Sequence, residues 1–103
     1  MIFVNISDKG FTVTGHSGYA DAGQDVVCAA VSSAAELTAN ALTEIVGVQC
    51  DIEVDADKPL LSVEVKNNDK AELCRMFIKA FELQIEGIAE SYPEYLTIKK
   101  SEV

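Results

Sequence analysis

Residues 25–47 read DVVCAAVSSAAELTANALTEIVG. No glycine or proline interrupts Val26 to Val46, and alanine is frequent, so the stretch predicts a long helix. Ala30, Ala34, Leu37, Ala41 and Ile45 recur along it at helical spacing. Asp25 is a good N-cap and Gly47 a good stop. At 1.5 Å per residue such a helix is roughly 30 Å long. A helix with an apolar stripe has to bury it against something, and the flanking segments supply a sheet.

Upstream, Ile2, Val4 and Ile6 alternate with Phe3, Asn5 and Ser7, the period of a strand. The turn residues Ser7 to Gly10 follow, and Phe11 to Gly15 reads as a second strand that completes a hairpin. Residues 16 to 24 carry no periodicity and are rich in glycine and small side chains, which predicts a loop. Downstream, Val48, Cys50, Ile52 and Val54 alternate with Gln49, Asp51, Glu53 and Asp55, a half-buried strand with one wet face. Asp57-Lys58-Pro59 predicts a turn, and Leu61, Val63 and Val65 the next strand. Asp69 and Glu72 suggest a capping box. Cys74, Phe77, Ile78, Phe81, Ile85 and Ile88 then line one face of a second helix, which ends near Tyr92, before Pro93. Leu96 to Lys100 is a short final strand. The order is ββαββαβ. It predicts an α+β fold, a two-layer sandwich with both helices packed on one face of a mixed sheet. No repeat, linker or low-complexity tract divides residues 1–103, so one domain is expected.

The composition narrows the function classes. Hydrophobic residues make up 49% and charged residues 24%, the balance of a globular chain rather than a disordered one. The net charge of -9 repels nucleic-acid phosphate and favours basic partners, so no direct nucleic-acid binding is expected. The three cysteines, Cys28, Cys50 and Cys74, have no paired spacing, which speaks against a disulfide framework. Met1 to Asn5 lacks the basic-then-apolar pattern of a secretory signal. No stretch looks long and uncharged enough to span a bilayer, so no membrane partner is expected. Reduced thiols in the cytoplasm fit these features.

Two residues carry candidate chemistry. His16, the one histidine, stands where the second strand gives way to the loop, and Cys28 lies in the first turn of the long helix, three residues after the proposed cap. Amides at a helix N-terminus favour a thiolate and can hold an oxyanion. A nearby imidazole can take the thiol proton and return it to a leaving amine. Asp25 either caps the helix or orients the imidazole, and Ser32 shares the Cys28 face one turn on. One histidine and three scattered cysteines give no metal-ligand spacing, and the glycines match neither a P-loop nor a dinucleotide fingerprint. No metal or other cofactor is expected. Cys50 and Cys74 fall on apolar faces and read as core.

Residues 15–42, GHSGYADAGQDVVCAAVSSAAELTANAL, resemble the signature of the Prp family of bacterial ribosomal-processing cysteine proteases. That signature runs Gly-His, a glycine- and alanine-rich loop, then Gly-x-Asp-aliphatic-Val-Cys-Ala-Ala-Val-Ser opening a long helix. The resemblance implies a homodimeric endopeptidase that trims the N-terminal extension of a basic large-subunit ribosomal protein, the twenty-seventh, after an apolar segment ending in paired phenylalanines. It puts the family's nucleophile on Cys28 and its histidine on His16, with the motif glycine, aspartate and serine on Gly15, Asp25 and Ser32. It also implies that the loop between His16 and Cys28 moves to admit substrate, and Tyr19 is a candidate wall for the aromatic cleavage site. The rival from another class is a non-catalytic dimeric module that binds a basic ribosomal protein. A thiol-transfer role for Cys28 is the third, and it lacks a C-x-x-C partner.

Overall fold

The computed structural model describes residues 1–15, 22–55, 60–67 and 69–101, with side chains omitted at 22–25. The predicted turn at residues 57 to 59 and most of the predicted loop, His16 to Asp21, lie outside the described residues.

The order of elements is the expected one. Strands β1 (Ile2–Ser7) and β2 (Gly10–Gly15) form the hairpin, followed by helix α1 (Ala22–Asn40). Strands β3 (Cys50–Asp55) and β4 (Leu60–Val65), helix α2 (Ala71–Ser91) and strand β5 (Leu96–Lys100) complete the chain. The sheet runs β3-β4-β2-β1-β5, and β5 lies parallel to β1 while every other pairing is antiparallel. Register puts Ile2, Val4 and Ile6 on the same face as Phe11, Val13, Leu61 and Val63. That face is covered: Ile2, Val4, Ile6, Phe11 and Val63 are buried with the inner stripes of both helices. Phe3 and Asn5, on the other face, are exposed. Phe11 of the sheet stacks on Phe81 of α2 with ring centroids 4.1 Å apart, which ties helix to sheet near the centre of the core.

Gly10 sits where β2 crosses β4. A Cβ there would stand 1.9 Å from the Val63 carbonyl oxygen, so only glycine lets these strands close.

Helix α1 departs from expectation in three ways. It starts at Ala22, so Asp25 lies within its first turn rather than capping it. Gly23 delays a helix by only about 1 kcal/mol relative to alanine, and Ala22 and Gln24 are good helix formers. Second, the buried stripe is Val27, Val31, Ala35, Thr38 and Leu42, while of the predicted row Ala41 is buried and Ala30 and Ala34 are half-buried. Leu37 and Ile45 are 72% and 76% exposed. The helix is apolar nearly all round, so spacing alone admitted two stripes, and packing chose the β-branched one. Third, the last turns, Ala41–Val46, widen into a π-helical turn before Gly47, whose φ of 83° ends the helix. The amides of Gly47 and Val48 both donate to the Leu42 carbonyl. The Lys70 ammonium donates to the Val46 carbonyl at 2.8 Å, satisfying an acceptor that a helix end leaves open.

The 21 residues Val26–Val46, with mean hydropathy 1.3, are long and apolar enough to cross a bilayer by length and composition, against the expectation from sequence. In the fold their buried stripe faces the sheet and α2 instead. The capping box is also absent: Lys70 occupies the N-cap of α2 with no side-chain cap bond, because the helix begins one residue late for Asp69 to serve. The buried face of α2, Cys74, Ile78, Phe81, Ile85 and Ile88, is the predicted one, with Phe77 half-buried. Glu82 sits beside it, nearly buried, paired to Lys79 at 2.6 Å and Lys100 at 3.4 Å.

Strand β3 differs most in its surroundings. Ile52 and Val54 share the inner face of the sheet by register with Val63 and Leu61, yet they are 48% and 70% exposed. As an edge strand, β3 extends past the helices, and its apolar face is open.

Candidate active site

The open face of β3 and the near side of α1 enclose a cleft of about 600 Å³, within the size range of small-ligand and peptide sites. Helix α1 forms one wall with Cys28, Ser32, Glu36 and Asn40, residues four apart that stack along one helix face. Ile52 and Val54 form the opposite wall, and Val13 and Leu61 the floor. Thr14 and Gly15, the last two residues of β2, also line the cleft.

Cys28 is half-buried: one side packs against the core and the other meets the cleft. Its thiol is therefore within reach of a molecule lying there. Ser32 is exposed on the same wall, one turn further on. Gly15 holds a φ of 143°, and a Cβ on it would stand 2.7 Å from both the Ile2 Cα and the Met1 carbonyl oxygen. Its place against β1 thus demands glycine at the point where β2 ends and the cleft begins. His16, next in the chain, lies outside the described residues, as does Tyr19, and the Asp25 side chain does too. The structure therefore brings together Gly15, Cys28 and Ser32 of the five candidate residues.

The earlier start of α1 changes the electrostatics expected at Cys28. The amides left free at a helix N-terminus belong to its first turn. Cys28 is in the second turn, about 9 Å along the axis from Ala22 at 1.5 Å per residue. Its own N–H falls within the hydrogen-bonded ladder and is not an oxyanion donor. The favourable potential of the helix end also fades within the first turn.

The thiols of Cys50 and Cys74 lie away from the cleft. Burial pushes the Cys50 thiol up, with a smaller contribution from Cys74. Burial likewise raises Cys74, partly offset by Lys70. Neither lines the cleft, and none of the three cysteines forms a disulfide. Among the described residues, no cluster of three or more His, Cys, Asp or Glu side chains is placed to hold a metal ion.

Sequence reasoning passed over the β3 wall and the lower part of the α1 wall. Glu36 and Asn40 were legible as continuations of the Cys28–Ser32 row. Ile52 and Val54 were not, since only strand order puts β3 across from α1.

The family model for cysteine protease Prp matches residues 1–97. The chain belongs to the cysteine protease Prp family. The ribosomal processing cysteine protease Prp of Mycoplasma pneumoniae is 29% identical over 99 residues, 96% of this chain and 94% of the relative. That of Mycoplasma genitalium is 29% identical over 101 residues, 97% of this chain and 96% of the relative. Among solved structures, the essential ribosomal processing protease Prp of S. aureus, crystallised with a substrate peptide, superposes with a TM-score of 0.88. The match covers 98% of this chain and all of that one at 19% identity, so it establishes a shared Prp fold, the α+β sandwich described above.

Proposed function

We propose that this Prp-family chain is an endopeptidase that removes the N-terminal extension of a basic large-subunit ribosomal protein, the twenty-seventh, during ribosome assembly. The observation that carries this is the placement of Cys28 on the wall of an apolar, peptide-sized cleft in a chain matched by the family over 1–97. In the proposed reaction His16 accepts the Cys28 thiol proton, and the sulfur attacks the scissile carbonyl carbon. The tetrahedral adduct collapses as the C–N bond breaks, and the imidazolium gives its proton to the leaving amine. Water then attacks the thioester with His16 taking its proton, and the acid product departs as the thiol is regenerated. Gly15 shapes the chain entering residue 16, while Asp25 and Ser32 support the dyad. The enzyme works as a homodimer in the cytoplasm, consistent with reduced cysteines. An acidic enzyme suits a basic substrate: the charge of -9 speeds encounter with it.

The test is incubation with a peptide copying the N-terminus of the host's own large-subunit protein, read by mass spectrometry. One cleavage by the wild type and none by Cys28→Ala is expected. Full cleavage by purified Cys28→Ala protein refutes the nucleophile. Binding of the peptide with no cleavage by the wild type favours a non-catalytic dimeric module.

A further inference from the structure

The cleft is mostly apolar, and two carboxylates line it: Asp55, the last residue of β3, and Glu36 on the α1 wall. Glu36 lies on the row that begins at Cys28 and passes Ser32, and it lines the same cleft. It is exposed, and among the described residues no lysine or arginine pairs with it. Asp51, Glu82 and Glu86, by contrast, each meet a lysine of this chain. Glu36 is thus a charge on the cleft wall that no cation among the described residues pairs with.

Distance sets what it can read. From Cys28 to Glu36 is about 12 Å along the helix axis at 1.5 Å per residue. An extended peptide covers that in about four residues at 3.3 Å each. A peptide with its scissile carbonyl at Cys28 and its chain along the cleft passes apolar side chains over Val13, Leu61, Ile52 and Val54. It then brings a side chain about four residues from the cut bond level with Glu36. A carboxylate there pairs with lysine or arginine and repels aspartate or glutamate.

We propose that Glu36 is a specificity-determining residue of the proteolytic site, selecting a basic side chain about four residues from the scissile bond of an extended substrate. The proposal rests on cleavage at Cys28 and adds the substrate feature that the far end of the cleft recognises. The walls select apolar residues near the bond, and Glu36 fixes register by adding one charge requirement beyond them. A single charge at a rim acts more on encounter and register than on tightness. The expected preference is accordingly two- to fivefold, the range an exposed ion pair supports.

The experiment walks one lysine through the parent peptide, from five residues before the bond to five after it, with alanine at the other tested positions. The wild type should show one maximum in kcat/KM, three to five residues from the bond on one side. The maximum should shrink as salt is raised. Glu36→Gln should lose the lysine preference, its kcat/KM ratio for the lysine over the alanine peptide falling to about one. Glu36→Lys should prefer a glutamate at that position. A flat series in the wild type, or a lysine maximum that persists in both variants, overturns the proposal. The same peptides are bound to Cys28→Ala protein and read by fluorescence anisotropy. A Glu36-dependent lysine preference in binding, with no cleavage by the wild type, would sink hydrolysis and leave the recognition standing. Cleavage without any Glu36-dependent preference would do the reverse, and absence of both binding and cleavage would sink both.

Discussion

Gly15→Ala should be among the most damaging single-methyl additions in this chain. Two costs combine. The φ of 143° lies where side chains are disfavoured, a strain of about 1–3 kcal/mol. The added Cβ also meets the Ile2 Cα and the Met1 carbonyl oxygen, each at 2.7 Å. Both are backbone atoms, one in β1 and one just before it, and β1 cannot easily retreat. It is clamped between β2 and β5, with the Ile2 amide donating to the Tyr95 carbonyl at 2.8 Å. Overpacking of this kind costs about 1–3 kcal/mol, so the sum is about 2–6 kcal/mol. With a urea slope of about 2 kcal/mol per molar, the unfolding midpoint should fall by roughly 1–3 M. Two internal controls separate the terms. Gly47→Ala has φ 83° but nothing within 4 Å of the new Cβ, so it should pay only the backbone strain. Gly87→Ala, inside α2 with open space and no unusual φ, should stabilise by about 0.5–1 kcal/mol. Urea unfolding followed by circular dichroism gives all three. A loss at Gly15 no larger than that at Gly47 would refute the contact with β1 as the reason for glycine there.

The remaining expectations concern the core, the thiols and acid stability. Phe81→Ala removes a fully buried ring stacked on Phe11 and should cost about 3–5 kcal/mol in the same urea assay, whereas Phe3→Ala on the open face should cost under about 1 kcal/mol. Near neutral pH, iodoacetamide followed by peptide mapping should label Cys28 faster than Cys50 or Cys74, whose thiols burial pushes up; equal rates at all three would count against a reactive Cys28. Hydrogen bonding from Lys79, then Lys100, holds the Glu82 carboxyl below the usual glutamate range against the opposing effect of burial. A depressed folded pKa means stability that is present above the unfolded value and lost as pH falls through the folded one. The urea midpoint of the wild type should therefore drop more steeply on acidification below about pH 4.3 than that of Glu82→Gln, and parallel pH curves would contradict the pairing.

The Cys28–Ser32 row was legible before any coordinates, because residues four apart share a helix face whatever the helix packs against. The α2 stripe was legible for a related reason: Glu72, Arg75, Lys79, Glu86 and Glu90 mark its wet side, although Leu73, Met76 and Leu83 also stay exposed. The α1 stripe was not, because alanine, valine and leucine occur on several faces and two rows satisfy the same period. The helix start was missed since a glycine in a first turn costs too little to mark a boundary against good formers on both sides. The π-helical turn at Ala41–Val46 has no sequence mark, its one extra residue being absorbed by the Gly47 end and the Lys70 reach.

Local chemistry alone therefore determined the identity and order of the strands and helices, the inner face of α2, and the row on which the candidate nucleophile sits. These follow from side-chain period and backbone preference, which act over a few residues. The tertiary structure alone decided that β3 lies at the sheet edge beyond the helices, that Ile52 and Val54 face open space, and that Cys28 looks into a cleft rather than a closed core. Those depend on which distant strands pair, and pairing energy is shared across the whole sheet, so no short stretch encodes it.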